Sequence, residues 1–158
     1  MSVKPVPDGY ASVTPYLIVG DGAKAIEFYK SAFGATERLR LPAPNGKIGH
    51  AELEIGGSVI MLASACDAAA DTKGPEAYGG SPVGIHLYVK DVDAVVKQAV
   101  ALGATLTRSV ENQFYGDRSG GLTDPFGHRW YVSTHVEDVS HEELQKRMTA
   151  MAKKAGAA

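Results

Sequence analysis

Histidine, tyrosine and glutamate residues occur at alternating positions in several short segments, where their side chains can exchange protons or bind a ligand. His50 alternates with Glu52, and His86 alternates with Tyr88. A histidine near a carboxylate can act as a general base, and a phenol can hold an oxyanion. The candidate catalytic residues are therefore His86, His50, Glu52 and Tyr131.

The composition narrows the class of protein that positions these residues. The chain has 158 residues, 44% of them hydrophobic and 22% charged, which fits one globular domain. Its net charge of −2 leaves no excess of positive charge to bind nucleic acid or an anionic membrane. The single cysteine, Cys66, excludes an internal disulfide and a cysteine zinc cluster, and it suits a reducing compartment. Since the sequence shows no apolar signal region and no membrane span, we expect a cytoplasmic protein.

The chain contains an internal repeat, in which Asp21 corresponds to Asp91 and Gly34 to Gly103. Each copy begins with an apolar strand that ends in the aspartate, whose side chain is suited to cap the helix that follows. Apolar residues at spacings of three and four predict helices that begin at residues 22 and 92. The two glycines suit the left-handed conformation in which helices often end.

Strand patterns follow each predicted helix. In the first copy they cover 48–55 and 58–63 and meet at Gly56-Gly57, a dipeptide typical of a tight hairpin. In the second copy they cover 105–110, a short stretch near 121–123, and 129–135, with a loop at 115–118 and a turn at 124–127. Both halves therefore predict the order βαβββ. We assign an N-terminal extension at 1–12, modules at 13–64 and 83–136, a linker at 65–82, and a C-terminal helix and tail at 137–158.

The C-terminal helix begins with a capping pattern at Ser140, and Leu144, Met148 and Met151 share one of its sides. This apolar stripe needs a partner surface. The chain's own sheet is the commoner partner, and a second subunit is the less common one.

A duplicated βαβββ unit with Asp-Pro-x-Gly before its last strand resembles the vicinal oxygen chelate superfamily of glyoxalases, extradiol dioxygenases, and bleomycin- and fosfomycin-resistance proteins. Thr-Pro-Tyr-Leu at 14–17, His-Ala-Glu-Leu at 50–53 and Asp-Pro-Phe-Gly-His-Arg-Trp at 124–130 look like its PhnB-like, glyoxalase-like subgroup. The resemblance covers 13–136. It implies an α+β fold in which two βαβββ modules form a curved eight-stranded mixed sheet around a cavity, with helices outside, and it implies a homodimer.

Metal-dependent members of this superfamily take four ligands, one from each of four strands that face the cavity. The resemblance places these positions on Thr14, Met61, Gly84 and Tyr131. A hydroxyl, a thioether, a glycine and a phenol do not make a site for a hard divalent ion. Shifting the register by one residue brings only Pro15, Ile60 or Leu62, Ile85 or Val83, and Trp130 or Val132. We therefore expect no metal and no other cofactor.

Alternation along the strands predicts an apolar cavity with aromatic walls and a few polar groups, as small-molecule sites usually have. Arg118, in the loop at 115–118, can clamp an anionic ligand. Trp130 is predicted to be core, and His128 to be an exposed turn residue. The predicted ligand-binding residues are Thr14, Tyr16, Met61, His86, Tyr88, Tyr131, Ser133, His135 and Arg118.

Three functional hypotheses follow. The first, which we favour, is a metal-independent protein that binds a small, partly aromatic or cationic compound, in the manner of bleomycin-binding relatives. The second is a metal-dependent lyase, isomerase or dioxygenase whose ligands come from His50, Glu52, His86 and His135. The third is a metal-free acid–base enzyme that uses His86 or His50.

Overall fold

Eight strands form two four-stranded mixed sheets. The computed structural model describes residues 3–66 and 72–156. The first sheet has the order β1-β4-β3-β2 and consists of β1 (Tyr16–Val19), β2 (Thr36–Pro42), β3 (Ile48–Ile55) and β4 (Ser58–Ser64). The second has the order β5-β8-β7-β6 and consists of β5 (Gly84–Tyr88), β6 (Thr105–Asn112), β7 (Asp117–Thr123) and β8 (Arg129–His135). With α1 (Gly22–Phe33) after β1 and α2 (Val92–Ala101) after β5, the predicted α+β fold of two βαβββ modules is confirmed. The boundaries assigned to the modules stay a prediction.

The local signals in the sequence explain how each module turns. The side chain of Asp21 accepts a hydrogen bond from the Lys24 backbone N–H at 3.1 Å, and Asp91 accepts one from Ala94 at 3.0 Å, so both aspartates cap their helices as predicted. Each helix then returns the chain, so that β1 runs parallel to β4 and β5 runs parallel to β8.

Strand β2 is the element that the sequence analysis did not assign. Leu39 and Leu41 alternate with Arg38 and Arg40 along it, and no residue of the strand is buried. An edge strand of this kind lacks the continuous apolar signal that marks β3 and β4. The predicted loop at 115–118 is also shorter than expected, because Asp117 already begins β7 and pairs with His135 of β8.

The C-terminal helix α3 (His141–Ala155) begins at the predicted capping residue, since Ser140 accepts a hydrogen bond from the Glu143 backbone N–H at 3.2 Å. Its apolar stripe is not docked on the chain's own sheet. Met148 is 60% exposed and Met151 is 52% exposed. Arg147 holds the helix instead, through paired hydrogen bonds to both carboxylate oxygens of Glu137 at 2.9 and 2.7 Å. The expectation that this stripe covers the sheet is therefore wrong.

The linker between the sheets contains a short 3-10 turn at Pro75–Tyr78, and the part of the predicted linker at 67–71 lies outside the described residues. None of the helices in the described ranges is both long and apolar enough to cross a membrane.

One hydrophobic core joins the two modules, and it lies on the helix-covered face of each sheet. Helix α1 packs on its own sheet and also contacts α2. The rings of Phe33 and Trp130 lie 4.6 Å apart between centroids, and those of Tyr29 and Trp130 lie 5.5 Å apart. The predicted core position of Trp130 is thereby confirmed, since it is 1% exposed. Among residues 3–66 and 72–156, no helix packs on the opposite face of either sheet, which is the face predicted to line the cavity.

Candidate functional site

The open face of the first sheet carries a row of side chains that crosses three strands. Tyr16 of β1 lies beside Met61 of β4, and Met61 lies beside Glu52 of β3. Because side chains alternate between the two faces of a strand, His50 shares this face with Glu52. Thr14 lies just before β1, and its hydroxyl donates to the Ala11 carbonyl oxygen at 3.3 Å.

Three of these side chains form a hydrogen-bonded chain. Tyr16 Oη lies 3.0 Å from Nδ1 of His50, and Nε2 of His50 lies 3.3 Å from Oε1 of Glu52. Glu52 is 6% exposed, and the hydroxyl of Tyr10 donates to its other oxygen. The hydrogen bond from Tyr10, followed by the one from His50, holds the pKa of Glu52 below its ordinary value. Glu52 is therefore a buried carboxylate with two donors.

Tyr10 reaches this face from the N-terminal extension. The backbone N–H of Tyr10 donates to the Pro7 carbonyl oxygen at 3.3 Å, which closes a turn with Gly9 at φ 80°. The Arg38 guanidinium lies 4.8 Å from the centre of the Tyr10 ring and donates to the Gly9 carbonyl oxygen at 3.0 Å. Sequence reasoning missed this role of Tyr10, because the extension has no strand or helix pattern from which a direction can be assigned.

The open face of the second sheet holds the remaining predicted residues. His86 pairs with Tyr131, and Tyr88 pairs with Ser133. The rings of His86 and Tyr88 lie 4.7 Å apart between centroids. The hydroxyl of Ser133 donates to that of Ser119 at 2.8 Å, and both serines are buried. Ser133 is therefore occupied inside the sheet, whereas the two aromatic side chains on β5 are exposed.

Asp117 is a buried acceptor at the end of this face. Its carboxylate accepts from the Tyr88 hydroxyl at 2.8 Å and contacts Nδ1 of His135 at 2.8 Å, and it is 4% exposed. Nε2 of His135 lies 2.9 Å from Asp138. The carboxylates of Asp138 and, second, Asp117 raise the pKa of His135, and the hydrogen bond to Asp117 raises the pKa of Tyr88. Sequence reasoning missed Asp117 as a site residue because it assigned the position to a loop.

The four positions implied for a metal do not fit a divalent ion. Tyr16 and Met61 are register partners, which places Thr14 and Met61 at the first sheet, while Gly84 and Tyr131 lie together on the second. A Cβ atom added to Gly84 would lie 2.4 Å from Cε2 of Tyr131, so the phenol ring occupies the space beside the glycine. Within 3–66 and 72–156, no three His, Cys, Asp or Glu side chains converge as a metal site requires.

The donors of the metal-dependent hypothesis are divided between the sheets. His50 and Glu52 belong to the first sheet, and His86 and His135 belong to the second. Of these three histidines, His50 and His135 each have a carboxylate oxygen within 3.3 Å of a ring nitrogen. The structure thus brings His50 together with Glu52 but brings neither of them to the other pair.

Two predicted surface residues have other partners. Arg118 donates from Nε and Nη2 to the two carboxylate oxygens of Asp93 on α2, at 2.7 Å each. It lies on the helix side of β7, because its neighbour Asp117 takes the open face, and this corrects its placement in a loop. Its predicted contact with an anionic ligand stays a prediction. His128 is half-buried rather than exposed, with Nε2 2.9 Å from the Ile18 carbonyl oxygen. It therefore links the second module to the first.

Two cavities adjoin the open faces. One of about 790 Å³ is lined by Tyr16, Ile18 and Ala63 of the first sheet, together with residues of the β2–β3 connection. Another of about 760 Å³ is lined by Tyr88 and His135 of the second sheet, together with residues of the first module at the end of α1 and in the β3–β4 hairpin. Tyr16 thus lines the first cavity, and Tyr88 and His135 line the second, whereas His86 and Tyr131 lie on the open face outside both.

Comparison with known proteins places the chain among proteins of this architecture. A family model described as the glyoxalase/bleomycin resistance protein/dioxygenase superfamily matches residues 9–132. An uncharacterized protein of Mycobacterium tuberculosis strain H37Rv is 43% identical over 143 residues, which are 88% of this chain and 83% of the relative.

Solved structures share the fold. The product of an Arabidopsis thaliana gene is 29% identical with a TM-score of 0.62, and the match covers 78% of this chain and 98% of the plant protein. The PhnB protein of Bacillus cereus has a TM-score of 0.62 at 17% identity, with 78% of this chain and 99% of that protein covered. At that identity the likeness is one of fold alone.

Proposed function

The chain belongs to the glyoxalase/bleomycin resistance protein/dioxygenase superfamily, and we propose that it binds a small organic molecule without a metal. The molecule contacts the aromatic side chains on the open faces of the two sheets. A partly aromatic or cationic compound fits this surface best, because it can stack on phenol and imidazole rings. With a single cysteine, Cys66, the protein is proposed to act in the reducing cytoplasm.

The packing of Tyr131 over Gly84 is the observation that carries this proposal. Two of the four positions that the resemblance implies for metal ligands are Tyr131 and Gly84. The phenol ring of Tyr131 occupies the space beside Gly84, where a side chain would clash with it. His86, the register partner of Tyr131, adds a second ring to the same row, and Tyr88 adds a third. Such a surface offers stacking area and hydrogen-bonding tips, which is what small aromatic ligands require.

A thermal-stability screen of small aromatic and cationic compounds tests this binding. A compound present at a hundred times its dissociation constant adds about 2.7 kcal/mol to the free energy of unfolding. We expect at least one compound to raise the melting temperature, and Tyr131→Ala to abolish that rise. Met148→Ala is the control, because Met148 is 60% exposed and lies on α3, away from both cavities. Equal shifts in both variants would overturn the assignment of the site.

We also propose that a second copy of the chain completes the site. Each sheet presents one open face with exposed aromatic or apolar side chains, including Tyr16 at 49%, Leu41 at 49% and Tyr88 at 59%. In a two-fold dimer, the first face of one protomer meets the second face of its partner, and the same contact occurs twice. Each pairing then closes one cavity between two half-walls.

Sedimentation velocity tests the dimer. We expect a dimer for the native chain and dissociation on Leu41→Glu, which puts a charge on the open face. Val100→Glu is the control, because Val100 on α2 is apolar and 41% exposed, similar to Leu41. It should leave the dimer intact. A native monomer at micromolar concentration would contradict this proposal.

A further inference from the structure

The hydrogen-bonded chain on the first sheet has the order phenol, imidazole, carboxylate. We propose that Tyr16, His50 and Glu52 form a proton relay, in which the Tyr16 hydroxyl exchanges a proton with the bound molecule. This inference rests on the proposed binding function, since the relay lies on the open face of the first sheet, one of the two faces that the bound molecule is proposed to contact. It adds to that function a ligand class: a small molecule with an acidic hydrogen on a hydroxyl group or on a carbon next to a carbonyl.

The direction of each hydrogen bond follows from the donors around Glu52. The buried carboxylate accepts from the Tyr10 hydroxyl on one oxygen, so the other oxygen, 3.3 Å from Nε2 of His50, accepts from that ring N–H. A neutral imidazole with its proton on Nε2 has an unprotonated Nδ1. That nitrogen, 3.0 Å from Tyr16 Oη, therefore accepts the phenolic proton.

Strand geometry fixes this order. Glu52 and Tyr16 are both register partners of Met61, so they stand on either side of the same residue. His50 precedes Glu52 by two residues and faces the same way, and its ring centroid lies 5.6 Å from that of Tyr16. The relay is thus built on three neighbouring strands, which hold its members more firmly than loops would.

Burial changes along the relay in the direction that proton transfer needs. Glu52 is 6% exposed, whereas Tyr16 is 49% exposed and lines the cavity of about 790 Å³. The charged end is fixed and shielded inside the protein, and the phenol at the other end is accessible to a ligand. A carboxylate that orients an imidazole toward a hydroxyl is the arrangement by which enzymes activate that hydroxyl.

The proton balance of the step is simple. A proton leaves the ligand for Tyr16 Oη, the Tyr16 proton moves to His50 Nδ1, and the carboxylate of Glu52 stabilises the imidazolium that results. The electron pair of the broken bond stays on the ligand as an enolate or phenolate. Return of the proton to the same atom exchanges it with solvent, and return to a different atom isomerises the ligand.

Tyr88 provides an internal contrast within the same fold. Its hydroxyl donates to the carboxylate of Asp117 with no imidazole between them, and this raises its pKa. A phenol held in this way keeps its proton. Of the exposed phenols, Tyr16 contacts Nδ1 of His50 and Tyr88 donates to the carboxylate of Asp117. Tyr78 makes neither kind of contact within the described ranges.

Acetylation by N-acetylimidazole tests the relay without any knowledge of the ligand. The reagent forms a bond between its acetyl carbon and a phenolic oxygen, and imidazole leaves with the proton. Rates at each tyrosine are measured by peptide mapping in a mass spectrometer. In the native chain we expect Tyr16 to react about tenfold or more faster than Tyr78, and Tyr88 to react slowest.

Substitutions then identify the source of the reactivity. Glu52→Gln and His50→Gln should each bring the rate at Tyr16 down to that of Tyr78. Glu54→Gln is the matched control, because Glu54 is the next residue on the same face of β3 and is not part of the relay. The buried Tyr29 should stay unreactive in all variants, which shows that they remain folded, and the rate at the exposed Tyr78 should stay constant as the reference.

Tyr16 reacting no faster than Tyr78, or a fast reaction that survives both Glu52→Gln and His50→Gln, would overturn the relay. Either result leaves the binding proposal in place, since that proposal is tested by the ligand screen and Tyr131→Ala. Conversely, fast acetylation of Tyr16 together with no stabilising compound in the screen supports the relay and contradicts the proposed ligand-binding surface. The two failures are thereby distinguishable.

Discussion

At the scale of single residues, function depends on what each polar group on the open faces is bonded to. His50 and Glu52 contact each other, and Tyr16 joins them through Nδ1 of the imidazole. On the second sheet, Tyr88 and His135 each contact the buried carboxylate of Asp117 directly. The two faces therefore differ in chemistry: the first has a phenol bonded to an imidazole, and the second has a phenol and an imidazole bonded to a carboxylate.

Titration of His135 should make the free energy of unfolding depend on pH. Asp138 and Asp117 raise its pKa above the ordinary value of 6.5, because they stabilise the protonated ring. A raised folded-state pKa gives stability that is fully present below the unfolded value of 6.5 and is lost as the pH rises through the folded value. We expect the difference in urea midpoint between the native chain and His135→Gln to shrink from about pH 5 to about pH 9.

The control for this titration is Gln98→Ala, because Gln98 is exposed on α2 and carries no ionisable group. Its effect should not change over the same pH range. A constant difference between the native chain and His135→Gln would contradict the role given to the two aspartates.

The sequence predicted which residues share a face better than it predicted their partners. Alternation placed His50 with Glu52 correctly, because both belong to one strand. It did not predict Tyr10 or Asp117, since the first lies in an irregular extension and the second begins a strand that the sequence marks weakly. Arg118 was misplaced for the same reason, because a strand that starts at Asp117 turns the next side chain toward the helix.

At the scale of elements, the connection from β8 to α3 depends on one glycine. Gly116 has a φ of 99°, and its carbonyl oxygen accepts from the backbone N–H groups of Val136 and Glu137 at 2.9 Å each. A Cβ atom at this position would lie 2.1 Å from the Glu137 carbonyl oxygen. The strand that carries Asp117 and the segment that leads to α3 are thus pinned together at a point where only glycine fits.

Gly116→Ala should reduce the free energy of unfolding by about 2–5 kcal/mol, since left-handed strain and overpacking add. Gly57→Ala serves as the control, because Gly57 also has a positive φ, 83°, but has no atom within 4 Å of the added Cβ. It should cost only the strain, about 1–2 kcal/mol. Equal losses in urea unfolding would show that the contact with Glu137 does not matter.

The caps and hairpins of the elements were predictable, and the docking of α3 was not. Asp21, Asp91 and Ser140 cap helices through their own side chains, which is a local interaction that the sequence records directly. The position of α3 depends instead on Arg147, whose partner Glu137 lies ten residues earlier in the chain. An apolar stripe predicts that a helix needs a partner surface, but it does not predict which one.

At the scale of the whole molecule, contacts between α1 and the second sheet hold the modules together. One carboxylate oxygen of Asp124 accepts from the Tyr29 hydroxyl at 2.7 Å and from Nε1 of Trp130 at 2.9 Å. The other oxygen accepts from the backbone N–H groups of Phe126 and His128 at 2.9 Å each. Burial raises the pKa of Tyr29 well above its ordinary value, so this hydroxyl keeps its proton and donates. The Asp-Pro-x-Gly turn at 124–127, on which the family resemblance rests, is thus also a point of contact between the two modules.

Tyr29→Phe removes the hydrogen bond from Tyr29 to Asp124, which crosses between the modules, while keeping the ring in the core. We expect a loss of about 1–3 kcal/mol in the free energy of unfolding, measured with urea. Tyr78→Phe, at an exposed position, should change it by less than about 0.5 kcal/mol. An equal effect of the two changes would mean that Asp124 does not depend on Tyr29.

The resemblance predicted two modules around a cavity, and the modules are present with their open faces on separate sheets. In the proposed dimer, the open face of each module accordingly forms one of the two walls of a cavity. The positions that the resemblance implies for metal ligands hold Thr14, Met61, Gly84 and Tyr131, which do not suit a divalent ion. We therefore propose that these faces bind a ligand by stacking and hydrogen bonding rather than by coordination.

Calorimetric titration of the chelator-treated protein with Mn²⁺, and then with Zn²⁺, tests this claim most directly. We predict no saturable binding near one ion per chain, and we predict that a compound selected by the thermal screen stabilises the protein equally with and without EDTA. Tight binding of one ion per chain, together with loss of the compound's stabilising effect in EDTA, would contradict metal-independent binding.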